Sequence, residues 1–192
     1  RDLQYDYTAA RRIDDAEAEY QRGLSLDGND TAPTGLAFQR MLARPDADPK
    51  ALRNLHGRLV KALDWPFLLD LGGVLNDREA MLAILREAAK DPAYRGNRNA
   101  MVFQMETADA LGDADLAVDA LRRYLESSKG FDDGSLNHRT YWQFWTTPHS
   151  SIRAHPEFKR LLIQTGVVDY WRQSGRWGDG CKPVGANDFQ CG

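Results

Sequence analysis

Apolar residues recur every three or four positions in successive stretches of this sequence, and most stretches end at a proline, a glycine or an aspartate. Residues 49–63, for example, place Leu52, Leu55, Leu59 and Leu63 on one helical face. This spacing predicts amphipathic α-helices, because side chains three and four apart lie on the same side of a helix. We therefore predict a succession of helices whose apolar faces must pack against one another.

The breaker residues set the predicted helix boundaries. A first helix through Ile13, Ala16, Tyr20 and Leu24 should end near Gly28. Gly112 and Asp113 predict the tight turn of an antiparallel helical hairpin, whereas Tyr170 and Trp171 predict only a short turn. The further helices are predicted at 34–43, 49–63, 67–74, from the Asn76-Asp77 cap to Asp91, 97–111, 114–127 and from Pro156 to Gly166.

The predicted fold class is all-α, since no stretch shows a dependable strand pattern. Three segments place a small residue four positions before a bulky one, as tetratricopeptide repeats do: Ala16 with Tyr20, Ala80 with Ile84, and Ala117 with Leu121. The small residues are 64 and 37 positions apart, so the period of about 34 residues is kept only loosely. We predict a degenerate tetratricopeptide-like helical-hairpin solenoid over residues 1–175, with an irregular helical bundle as the alternative.

Aromatic residues are concentrated near the C-terminus. Tyr141, Trp142, Phe144 and Trp145 form one group, and Tyr170, Trp171 and Trp177 follow it. A repeat array must cover its last apolar face, so these residues predict an aromatic C-terminal cap. The alternative is a binding surface formed by Tyr141, Trp142 and Trp145, because Tyr and Trp offer large contact areas with a polar edge.

The tail at 176–192 is rich in glycine and holds the only two cysteines, Cys181 and Cys191. A disulfide between them would close a loop of about 11 residues and restrain the tail by about 3 kcal/mol. Such a bond requires an oxidising compartment. The alternative is two free thiols in a cytosolic protein.

Charge and motif content argue against several functions. The 28 acidic and 25 basic residues leave a net charge of -3, so no overall field attracts nucleic acid. No apolar run approaches the roughly 20 residues of a membrane span. The histidines at 56, 138, 149 and 155 are scattered, with His155 expected to cap the helix at Pro156, and the glycine pair at 72 and 73 lacks the setting of a phosphate-binding loop. We predict no metal, no cofactor and no catalytic residues.

The segment from Pro156 to Leu162, followed by Gly166, the stretch 169–172 and the two cysteines, resembles the end of tetratricopeptide-containing proteins from Gram-negative bacteria. Many of these are membrane-anchored transcription regulators of the CadC/ToxR type, with a cytoplasmic winged-helix domain and a periplasmic helical-repeat sensor. The resemblance implies an effector domain and a membrane anchor upstream of Arg1. It also implies that Cys181 and Cys191 lie in the periplasm.

The sequence therefore predicts a non-catalytic sensor or interaction module that binds a protein, a peptide or a small-molecule signal. Arg98 and Gln104, on a predicted first helix of a hairpin, are candidate contacts. A structural adaptor of a protein complex is the first alternative, and a divergent helical enzyme is the second. The predicted location is the periplasm, with the cytoplasm as the alternative.

Overall fold

The computed structural model describes residues 31–127, 151–178 and 180–191, together with residues 15, 18, 19 and 22. The ten helices of the three continuous ranges are α1 (Thr31–Leu42), α2 (Pro49–Leu63), α3 (Pro66–Gly72), α4 (Arg78–Lys90), α5 (Pro92–Arg95), α6 (Arg98–Ala110), α7 (Ala114–Ser127), α8 (Ser151–Ala154), α9 (Pro156–Gln164) and α10 (Val167–Ser174). Two strands follow, β1 (Cys181–Val184) and β2 (Asp188–Cys191). The predicted mostly helical character is confirmed.

Polar side chains begin the helices where the sequence predicts. Asp77 accepts a hydrogen bond from the Ala80 amide at 3.0 Å, and the Asp48 carboxylate accepts one from the Lys50 amide at 2.9 Å. These side chains satisfy amides of the first turn that have no partner inside the helix. The boundaries predicted for 49–63 and 114–127 are confirmed at both ends.

The turn between α6 and α7 is the tight hairpin turn that the sequence predicts. Gly112 has φ +76°, a left-handed conformation that glycine adopts without steric cost, and the Asp113 amide donates back to the Ala108 carbonyl at 2.9 Å. The Asp113 carboxylate then accepts from the Leu116 amide at 2.9 Å and so caps α7. Gly112 thus ends α6, and Asp113 begins α7.

Helix α6 is the centre of the core. It packs against α1, α4, α5 and α7, and ten of its 13 residues are buried. One hydrophobic cluster extends from α1 through these helices to the C-terminal strands. A helix surrounded in this way must also bury polar residues, which here are Gln104, Glu106, Thr107 and Asp109.

The C-terminal region departs from the prediction in two places. Residues 167–174 form helix α10 instead of a short turn, because Val168 and Trp171 bury one face against the core. The tail forms an antiparallel β-hairpin in which Cys181 pairs with Cys191, so the prediction of no strands is wrong. Strands of four residues carry too little alternation to be recognised in sequence.

Three predictions fall on residues that are not described. The first amphipathic helix has only Asp15, Ala18, Glu19 and Arg22 among the described residues, all in helical conformation. The aromatic group Tyr141, Trp142, Phe144 and Trp145 lies outside the described residues, and so do His138 and His149. Among the described residues, no helix is both long enough and apolar enough to cross a bilayer.

Gly72, the first residue of the glycine pair, has a packing role. A Cβ atom on Gly72 would lie 2.7 Å from Cε1 of His56 on α2. The His56 ring is buried, and its Nε2 donates a hydrogen bond to the Leu68 carbonyl oxygen at 2.6 Å. Gly72 therefore allows α2 and α3 to approach closely around this ring.

Replacing Gly72 with alanine is expected to lower the free energy of unfolding by about 1 to 3 kcal/mol, because the hydrogen-bonded His56 ring must move from its buried position. The matched control is Gly57→Ala in α2, where nothing lies within 4 Å of the new Cβ. That substitution should raise the free energy of unfolding by about 0.5 to 1 kcal/mol. Urea denaturation of both variants measures the difference, and equal stabilities would contradict the close contact.

Candidate functional site

An open groove with a volume of about 690 Å³ lies between α4 and α7, and we call it the charged groove. Its lining is dominated by eight charged side chains. The helix α4 and α5 side contributes Arg86, Glu87, Lys90 and Arg95; the hairpin turn and α7 contribute Asp113, Asp115, Asp119 and Arg123. Most cations therefore lie on one side of the groove and most carboxylates on the other.

Two arginines hold α4 against the α6–α7 turn. Arg86 forms an ion pair with Asp113, whose side chain is 13% exposed, and Arg78 Nε donates to the Leu111 carbonyl oxygen. Asp113 also caps α7, so one carboxylate connects the turn, the start of α7 and α4. These contacts fix the spacing between the two sides of the groove.

The Arg123 guanidinium lies at the base of the charged groove with only 5% of its side chain exposed. It donates from Nε to Asp119 at 2.9 Å and from Nη2 to the Gln104 side-chain oxygen of α6 at 3.1 Å. Its Nη1 has no hydrogen-bond partner among the described residues. A buried guanidinium with an unused donor favours a carbonyl or carboxylate oxygen nearby.

Asp119 is held ionised by two arginines. Its burial raises the pKa, but hydrogen bonds from Arg123 and Arg122 outweigh that effect, and the pKa lies below its ordinary value of 3.8. The same contact, with Asp119 accepting from Arg122, raises the pKa of that arginine. Asp119 and Arg122 therefore both carry full charge near neutral pH.

His155 connects the C-terminal helices to the groove. Its Nδ1 accepts a hydrogen bond from the Glu157 amide at 3.1 Å, which confirms the predicted capping role. The opposite nitrogen, Nε2, lies 2.8 Å from Asp115 on α7 and donates to that carboxylate. The side chain of Asp115 is still 93% exposed, so the carboxylate also faces solvent in the groove.

The predicted contact residues occupy different environments. Gln104 is completely buried, where it accepts from Arg123, so it supports the groove from beneath. Arg98 is partly exposed and lies over the Tyr124 ring, 4.7 Å from its centroid, and it does not line the groove. The predicted binding surface of Tyr141, Trp142 and Trp145 lies outside the described residues.

The disulfide between Cys181 and Cys191 is present, with Cα atoms 4.0 Å apart across paired strands. Phe189 on β2 is 2% exposed and contacts the rings of Trp171 and Trp177, with centroids 6.4 and 6.0 Å away. Trp171 and Trp177 thus pack against the tail, as expected for residues of an aromatic cap, whereas Tyr170 is 62% exposed and does not cover the core. The described residues include no cluster of three or more histidine, cysteine or acidic side chains able to hold a metal ion.

Sequence reasoning did not identify the charged groove. Asp119 and Arg123 are four positions apart, a spacing that indicates a helical ion pair, and Arg123 lies among the buried positions of α7. An arginine on the apolar face of this helix is the sequence feature that indicates a buried charge. Its partner Gln104 is 19 positions earlier on another helix, and periodicity cannot indicate that contact.

Comparisons with protein families, with curated proteins and with solved structures give no match to this chain. The function therefore has to be inferred from the geometry of the described residues.

Replacing Asp119 with asparagine is expected to lower the free energy of unfolding at neutral pH by about 1 kcal/mol, because Arg123 loses its ionised acceptor. The pKa of Asp119 is depressed in the folded state, so its contribution is present above the ordinary value of 3.8 and is lost as the pH falls through the folded pKa. The difference from wild type should shrink below about pH 4.

Urea denaturation at neutral and acidic pH measures this difference, with Asp46→Asn as the control. Asp46 is exposed in the loop after α1 and does not line the charged groove. A difference for Asp119→Asn that stays constant down to pH 2 or so would contradict the assigned ion pairs.

Proposed function

We propose that this chain is a non-catalytic interaction module that binds a protein or peptide segment in the charged groove. The observation that carries the proposal is the pairing of oppositely charged sides across an open groove between two helices, with a buried arginine at its base. Helical modules commonly bind a partner segment along a groove of this kind. The hairpins are the repeat units of the proposed tetratricopeptide-like arrangement.

The charge distribution supports a peptide partner that carries both acidic and basic residues. Arg95 has no ion-pair partner among the described residues, and Asp115 faces solvent on the opposite side. A segment with an acidic residue toward α5 and a basic residue toward α7 would complement both. Complementary charges at the edge of an interface chiefly set orientation and association rate. The open shape suits an extended segment more than an enclosed small molecule.

We further propose that the module is the extracytoplasmic sensing part of a larger membrane-anchored transcription regulator. The disulfide supports this location, because such bonds persist in oxidising compartments and are rare in the cytosol. The resemblance of the C-terminal segment to periplasmic sensor regions supports the same context. Binding in the groove would then be the signal passed to the upstream domain.

Replacing Arg95 with glutamate is expected to weaken peptide binding about tenfold, equivalent to about 1.4 kcal/mol, because the substitution reverses the charge on the α5 side of the groove. Peptides selected from a phage-displayed random dodecapeptide library on wild-type protein serve as probes, and fluorescence anisotropy gives the Kd. The matched control is Arg53→Glu, an exposed position of α2 outside the groove.

Both variants should keep the wild-type circular dichroism spectrum. The proposal fails if no peptide is enriched, or if Arg95→Glu and Arg53→Glu change the Kd equally.

Thiol titration tests the extracytoplasmic location. Protein isolated from its native host under denaturing conditions, with an alkylating reagent added at lysis, should show no alkylated Cys181 or Cys191, because both sulfurs form the disulfide. Peptide mass spectrometry before and after reduction provides the measurement and the internal control. Full alkylation of both cysteines without reduction would place the chain in a reducing compartment.

A further inference from the structure

A second concavity of about 470 Å³ lies on the other side of α4, between that helix, α3 and α5, and we call it the aromatic pocket. Phe67 and Tyr94 meet edge to face inside its lining, with centroids 5.0 Å apart. Ile84 and Ala88 extend the apolar surface along α4. Ile84, the bulky residue that the repeat pattern pairs with Ala80, is only partly buried and lies at this pocket.

The aromatic pocket is rigidly supported from below. Phe67 is 5% exposed and contacts both Trp65 and the core residue Phe103, with centroids 5.8 and 6.0 Å away. Phe103 belongs to the central helix α6. The ring at the base of the pocket is therefore held by aromatic neighbours, which preorganises the site.

The charged residues that line this pocket are all acidic: Asp70, Glu87 and Asp91. Glu87 pairs with Lys90 at 2.6 Å, but both side chains are more than two-thirds exposed, so water screens that pair strongly. Burial raises the pKa of the Tyr94 hydroxyl, and the negative charges of Asp91, Asp70 and Asp64 raise it further. The pocket thus combines an apolar base with a negative field.

We propose that the aromatic pocket binds a lysine side chain of the same protein segment that occupies the charged groove. The methylene groups of a lysine can lie along Phe67 and Ile84, while its ammonium group reaches the carboxylates of Asp70 and Asp91. Tyr94, which is only partly buried, also attracts a cation through its ring face. An anionic or neutral side chain would gain the apolar contact alone.

The two concavities are neighbours across one helix. Ala83 and Glu87 of α4 line both of them, so a segment that crosses α4 at the small side chain of Ala83 can contact both. This inference rests on the proposed peptide-binding function and specifies the chemistry of the partner. It predicts a partner in which a lysine lies next to the groove-binding residues.

The pocket can be tested without the rest of the partner. The probe is Nα-acetyl-lysine N-methylamide, and the comparison compound is the norleucine analogue, which has the same chain without the charge. Titration followed by amide chemical shifts should show saturable changes confined to residues 66–71 and 83–94, with a millimolar Kd for lysine. The norleucine compound should bind at least about fivefold more weakly.

The variants Asp70→Asn and Asp91→Asn remove charge with little change of shape. Asp91 caps α5 by accepting from the Ala93 amide at 2.8 Å, and asparagine is an equally good cap. Each variant should weaken lysine binding about threefold, and the double variant about tenfold. The matched control is Asp48→Asn, which replaces the cap of α2 far along the chain from either concavity and should leave the Kd unchanged.

Equal affinity for the lysine and norleucine compounds would overturn the proposal, as would lysine-induced shifts scattered over other acidic surfaces. Tetramethylammonium chloride is a further probe in the same titration. If it binds as tightly as the lysine compound, the pocket is a site for compact cations and the proposal fails.

The failure of the groove proposal would look different. Arg95→Glu should not weaken binding of the lysine compound, because it adds a negative charge beside Tyr94. Selected peptides that bind without any preference for lysine would support the groove proposal and contradict the pocket proposal.

Discussion

The burial of most of helix α6 determines how the other helices pack. Ten of its 13 residues are buried, and four of these have polar side chains. Gln104 accepts from Arg123 of α7, and Asp109 accepts from Ser151 at the start of α8. Because unpaired polar groups are costly in the interior, these bonds fix the position of α7 and α8 around α6.

Helix α4 takes its position from the same centre and forms part of both candidate sites. It packs on α6, and its arginines at 78 and 86 hold the α6–α7 turn. One face of α4 supplies cations to the charged groove, and the other supplies Ile84 and Ala88 to the aromatic pocket. A peptide that uses both sites would therefore contact a helix fixed by the core, which favours a preorganised interaction over a flexible one.

The C-terminal hairpin shows how a very short sheet is kept in place. Two strands of four residues are marginal alone, but here the disulfide joins their ends and Phe189 packs against Trp171 and Trp177. Lys159 of α9 also forms an ion pair with Asp188 and lies 5.2 Å from the centroid of the Phe189 ring. The tail is thereby part of the same hydrophobic cluster as α9 and α10.

The sequence pattern alone predicts the longer helices, such as those at 49–63 and 114–127, because periodicity and caps act within one or two turns. The buried Leu52, Leu55 and Leu59, the Asp77 cap and the Gly112 turn were all readable locally, and so was the pair of cysteines. Three features are visible only in the folded protein: Arg123 lies beneath a groove, Asp70 and Asp91 border an aromatic pocket, and the tail is a hairpin. Those features depend on contacts between distant segments, whose geometry is set by how whole helices pack and not by the spacing of residues along one of them.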